Sequence, residues 1–141
     1  MKATGIIRRI DDLGRIVIPK EIRRTLRLRE GDPLEIYTDN NAVCFKKYSF
    51  MADYVPMVTA CVETLRKKGV ECALYDNSSC KLCGDKNAPA EMEYDAFTPN
   101  HFAINVQGEF CGYLAVASEI SSNKPLIEFA VSAIARMIAL D

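Results

Sequence analysis

The stretch MKATGIIRRIDDLGRIVIPKEIRRTLRL, residues 1–28, decides how the front of this chain is read. Ile6, Ile7 and Ile10 make residues 4–10 β-prone. Asp11-Asp12-Leu13-Gly14 reads as a turn, with Gly14 free to take positive φ. Arg15–Ile18 is a second, short β-branched run. Pro19 suits the first position of a helix, and Glu21 suits the positive end of that helix. The spacing predicts a helix running to Leu26, with Ile22 and Leu26 along its apolar edge. Working outward, Gly31-Asp32-Pro33 is a break. Leu34–Thr38 and Ala42–Lys47 then alternate about Asp39-Asn40-Asn41 as a β-hairpin, with Leu34, Ile36, Val43 and Phe45 expected on its buried face. The order is β-β-α-β-β within residues 1–48. So few apolar residues rarely make a sufficient core alone. Interleaving two copies, each completing the other's sheet, is the expected remedy.

Tyr48–Met51 reads as a joint to a second unit, which places one domain at 1–48 and another at 52–141. Val55, Val58, Val62 and Leu65 recur at helical spacing and predict a helix from Asp53 to Lys68, closed by Gly69. Pro56 falls in its first turn, where it is tolerated. Val70–Tyr75 is a strand, and Asp76–Ala90 is polar and turn-rich. His101–Val106 and Phe110–Ala117 are strands about Gln107-Gly108-Glu109. Ser121–Leu140 is a final helix, with Leu126, Phe129, Ala130, Ala133, Ile134, Met137 and Ile138 on one face. The second unit is therefore a small α+β domain.

Charge separates the two units. Residues 1–48 hold 11 Lys and Arg against 7 Asp and Glu, a balance of +4, whereas residues 49–141 carry −5. A basic front on an acidic back points to a polyanion at the front. Lys20, Arg23, Arg24 and Arg27 fall at helical spacing and form one basic stripe. Arg8 and Arg9 end the first predicted strand, and Arg15 opens the second. Guanidinium groups pair bidentately with phosphate oxygens or guanine edges. No row of exposed aromatics is available to stack on unpaired bases, so a duplex fits better than a single strand. The bland alternative for such a stripe is a solvated charged face.

The same residues carry a resemblance. Residues 1–26, continued by Arg-Glu-Gly-Asp-Pro-Leu-Glu-Ile-Tyr (29–37) and Lys-Lys-Tyr (46–48), resemble the swapped-hairpin domain of the AbrB family of transition-state and sporulation regulators. The resemblance implies a β-rich barrel made by two exchanged hairpins, and double-stranded DNA as partner. It also implies that DNA contacts are made by Arg8, Arg15, Arg23 and Arg24, with Arg9 and Lys2 as further carry-overs. Loosely defined, A/T-rich sites would be read by shape more than by a base code. The second unit resembles, in architecture only, a shortened GAF-like domain. That likeness implies a homodimer that can become a tetramer, and a sensor for an unidentified small molecule.

No apolar run reaches the length of a membrane span, and no signal-peptide core is visible, so a cytoplasmic, nucleoid-associated protein with no membrane partner is expected. The six cysteines are then expected as reduced thiols. Cys80-Lys-Leu-Cys83-Gly84 has the spacing of half a zinc site or of a redox pair, and only Cys61, Cys72, Cys111 or His101 could complete it. Glu91, Glu93 and Asp95 read as solvated surface. P-loop, G-x-G-x-x-G and H-E-x-x-H patterns are absent, and His101 has no nucleophile–base partner, so no enzyme is expected. The competing class is an antitoxin-like protein whose tail wraps a toxin. The periodic apolar pattern of residues 49–141 argues against a disordered tail.

Overall fold

A computed structural model describes residues 2–117, 119 and 122–139. Its elements are α1 (Lys20–Thr25), β1 (Leu34–Asp39), β2 (Ala42–Lys47), α2 (Val55–Lys67), β3 (Cys72–Asp76), β4 (Lys81–Gly84), β5 (His101–Val106), β6 (Glu109–Val116) and α3 (Lys124–Ala139). A 3₁₀ turn, Ala52–Tyr54, leads into α2 where a continuous helix from Asp53 was expected. The ends of the expected final helix, 121 and 140, lie outside the described residues.

The front segment departs most from expectation. Residues 4–10 and 15–18 form no strand in the single chain, although the turn between them does form. The Gly14 N–H donates to the Asp11 carbonyl at 3.1 Å, and Gly14 has φ +78. A strand exists only by pairing, and within one chain neither run pairs with the β1–β2 hairpin or with the other sheet. The hairpin does form. It pairs Leu34 with Lys47, Ile36 with Phe45 and Thr38 with Val43, and turns through Asn40 and Asn41, both at positive φ. Leu34, Ile36, Val43 and Phe45 therefore share a face as read from the alternation. That face is bare instead of buried: Ile36 is 64% exposed and Val43 63%. Ile7, at 86%, is barer still. None of residues 2–50 is buried; the first buried side chain is Met51.

From Met51 onward the chain has a core of its own. The sheet is antiparallel throughout, in the order β4-β3-β6-β5. α2 lies over β3 and β4, and α3 over β5. Val58, Val62 and Leu65 of α2 and Ile127, Ala130, Ile134 and Ile138 of α3 bury a stripe at helical spacing against Cys72, Leu74, Ile104, Leu114 and Val116. Each such branched side chain contributes about 1.5–3 kcal/mol by leaving water. α2 ends as its sequence implied: Gly69 at φ +92 is followed by a bond from the Val70 N–H to the Leu65 carbonyl. β4 is the element that sequence reading missed, having been assigned to the polar loop.

The opposite face of the sheet is covered by residues 85–100. Ala73, Tyr75, Tyr113 and Ala115 pack there beneath Ala88, Met92, Tyr94 and Phe110. The Tyr75 and Tyr113 rings stack at 5.1 Å, and their hydroxyls donate to the Pro89 and Met92 carbonyls. His101, the chain's one histidine, sits 4.9 Å from the Tyr113 ring, and its Nδ1 accepts the Asp95 N–H at 3.0 Å. Burial lowers the proton affinity of His101, against the opposing pull of the Asp95 carboxylate. The neutral ring is thus the one the fold prefers. Its contribution to stability is full above the ordinary histidine pKa of about 6.5 and is lost as pH falls below it, because the unfolded chain then binds the extra proton. Urea midpoints should fall between pH 7.5 and 5.5, and His101→Gln should flatten that fall. An equal fall in the variant would assign the loss to other groups.

Candidate nucleic-acid interface

α1 begins after Pro19, whose extended backbone has φ −59 and ψ 149, and carries Glu21 in its first turn. It ends after six residues by a reversal. The Arg27 N–H donates to the Arg24 carbonyl, the Leu28 N–H donates to the Arg23 carbonyl at 2.8 Å, and Arg27 itself has φ +55. This is a Schellman closure with arginine where glycine is usual. The expected four-residue helical stripe is therefore cut short. Lys20, Arg23 and Arg24 lie on α1, but Arg27 is swung off its axis. Arg27 pairs instead with Glu93 at 3.2 Å, so the acidic run read as solvated surface supplies one partner to the basic side. Asp95, from the same run, braces its own loop by accepting the Phe97 N–H and the Thr98 hydroxyl.

The reversal leaves a shallow basic depression of about 330 Å³, lined by Lys20, Arg23, Arg24, Arg27, Leu28 and Arg29. Arg29 was missed in the sequence, where it falls two residues beyond Arg27; the signal was its charge within the +4 front. Of the sequence-predicted contacts, only Arg23 and Arg24 share this depression. Lys2 and Arg9 stand exposed on the N-terminal arm, and Arg8 donates to the neighbouring Ile7 carbonyl at 3.1 Å. Arg15 is braced by the turn: its Nε lies 2.8 Å from the Asp11 carboxylate, which also accepts the backbone N–H groups of Leu13 and Arg15. The Arg15 N–H and then its guanidinium hold the Asp11 carboxyl below the usual carboxylate range. Arg15 stays largely exposed, so its outer nitrogens still face solvent.

Lys47 ties this front to the rest of the chain. Its ammonium, 13% exposed, donates to the Asn77 carbonyl at 2.9 Å and to the Arg27 carbonyl at 3.4 Å, and it pairs with Asp32 at 3.5 Å. Asn77 returns a bond from its side-chain amide to the Tyr48 carbonyl at 2.8 Å. The end of β2, the loop after α1 and the turn after β3 thus meet at one cation.

The two cysteines of the C-x-x-C occupy different surroundings. Cys80 is exposed with its Sγ toward the Ser78 carbonyl, whereas Cys83 is half-buried on β4, with Thr59 of α2 beside it. Burial, the largest cause for both, pushes the two thiols up, which disfavours the reactive thiolate. Among the described residues, no group of three or more His, Cys, Asp or Glu is arranged to hold a metal ion. No helix among them is long and apolar enough to cross a membrane.

Similarity to known proteins falls on the front segment. The family described as antidote-toxin recognition MazE, bacterial antitoxin, matches residues 7–48. Stage V sporulation protein T of Bacillus subtilis (strain 168) is 78% identical over 50 residues, 35% of this chain and 28% of that protein. The transition state regulatory protein AbrB of the same organism is 58% identical over 48 residues, 34% of this chain and 50% of that protein. The chain opens with an AbrB-type N-terminal domain. The solution structure of the N-domain of the transcription factor abrB is 57% identical to this AbrB-type domain; the match covers 35% of this chain and 94% of that one, with a TM-score of 0.33. The chain spans no more than about half the length of these two curated relatives.

Proposed function

We propose that this chain is a double-stranded-DNA-binding transcription regulator of the transition-state or sporulation type, working in the cytoplasm on the nucleoid. The observation that carries the reading is the AbrB-type front sequence, 78% identical to stage V sporulation protein T, with Arg23 and Arg24 displayed side by side on α1. Arg8, Arg9 and Arg15 complete the proposed DNA contacts. In this reading the front segments of two copies exchange hairpins into one β-rich barrel. The bare apolar residues of 2–50 support that pairing, since one copy leaves them in water. Residues 52–141 act as a shortened GAF-like unit that senses a small molecule or carries dimers into tetramers. The protein works by binding, not catalysis, and the reading assigns it no resident cofactor; zinc at Cys80 and Cys83 is not part of it.

The match to an antitoxin family favours a second reading, an antitoxin-like interaction protein. A tail built around its own core, as residues 51–139 are, fits a folded regulatory unit better than a wrapping segment. A stable complex with a small toxin on co-expression would favour the antitoxin reading.

Titration of the full chain onto an A/T-rich duplex tests the DNA reading. A pair of chains neutralising about six to ten phosphates should lose roughly 10³–10⁵ in affinity between 50 and 200 mM salt. Affinity that ignores salt, or that is equal for single strands, would refute it.

A further inference from the structure

A trough of about 1160 Å³ opens beside the front segment, and it is not confined to that segment. One side belongs to the front and is mainly apolar, with Ile7, Ile16, Val17, Ile22, Val43 and Phe45, though front-segment cations such as Arg8 and Lys46 also reach it. The other side belongs to the C-terminal unit, where Ala52, Asp76, Ser78, Cys80, Leu82 and Glu91 reach the same space. These last residues come from the 3₁₀ turn at Ala52, the end of β3, the β3–β4 turn, β4 and the strand-like bridge between Cys80 and Glu91.

We infer that this trough seats the front segment of a second copy, and that Cys80, Leu82 and Glu91 of the C-terminal unit form one wall of the joint. The inference rests on the paired front segment proposed above and adds where that pairing continues. The occupant is a second copy for two reasons. The front segment contains two β-prone runs, 4–10 and 15–18, that form no strand within one chain. Its apolar side chains are bare and line the trough with those of the hairpin. Lys47 holds the turn after β3 against the end of β2, so that wall stands at a fixed place beside the seat. A change in the turn would then be felt at the joint between copies without passing through DNA.

Cys80 reports directly on this wall, because its thiol is exposed in the single chain. The test compares the full chain with Ile7→Glu, a change at a bare position that touches none of the core beginning at Met51. Sedimentation gives the mass, and alkylation followed by peptide mass mapping gives the rate at each cysteine. Ile7→Glu should halve the mass. Cys80 should react at least about tenfold more slowly in the wild type, since only the dissociated fraction offers it. Cys83, half-buried under α2, should react equally in both proteins and so report an intact C-terminal unit. If the mass halves and Cys80 reacts equally in both, this wall is not part of the joint and the inference is overturned while the pairing stands. If Ile7→Glu leaves the mass unchanged, the pairing itself falls and the inference with it.

Discussion

The double variant Arg23→Ala/Arg24→Ala should bind duplex DNA roughly a thousandfold more weakly than the parent at matched salt, with its fold intact. Two guanidinium groups are removed from each chain and four from a pair. If each meets a phosphate, the plot of log affinity against log salt becomes shallower by about three to four units. The fold should survive because α1 buries none of its residues and alanine favours a helix. Arg27→Ala is the informative comparison. Its side chain is already engaged with Glu93 and lies off the helix axis, so it should cost far less. Mobility shifts over a salt series, with far-UV circular dichroism as the check on folding, measure all of this. A double variant that binds as tightly as the parent would remove α1 from the interface.

The second large effect concerns stability. Gly84→Ala should destabilise the C-terminal unit by about 3 kcal/mol, combining backbone strain with overpacking. Gly84 has φ +110, and a Cβ there would lie 2.5 Å from the Cys72 carbonyl oxygen and 2.6 Å from the Ala73 Cα. Neither neighbour can swing aside, because both are backbone of the central strand β3. Gly108 makes the contrast: it has φ +82 and no atom within 4 Å of its added Cβ, so Gly108→Ala should cost only the strain, about 1 kcal/mol. Urea unfolding of the two variants separates the effects. If both lose the same amount, β3 and β4 do not approach as closely as described. Gly84 follows Cys83, and the close strand approach, not metal binding, is sufficient reason for a glycine there.

Much of this architecture can be read from local chemistry. Pro19 and Glu21 locate α1, the Asn40-Asn41 pair locates the hairpin turn, and alternation about Gly108 locates β5 and β6. β4 was hidden because its four residues lie between Ser78-Ser79 and the Asn87–Pro89 turn, and what makes them a strand is pairing with β3, which is not local. The face of Ile36, Val43 and Phe45 is bare in the single chain for a related reason. Alternation tells which residues share a face, but not whether the same chain covers it. At the interface, charge and spacing found Arg23 and Arg24. They could not foresee that Arg27 would take the left-handed cap of α1 and turn toward Glu93, since glycine is the usual signal for that stop.

The absence of any buried side chain among residues 2–50 bears on how the molecule is made. In the proposed pairing the ribosome delivers the front segment first, yet that segment would gain a buried core only when another chain arrives. Residues 51–139 emerge later and can condense at once on their own core. The order of folding would then be the reverse of the order of synthesis. If the front segments pair as proposed, the DNA-facing surface would become complete only when enough copies have accumulated to meet, and cellular concentration itself would set a threshold for its action.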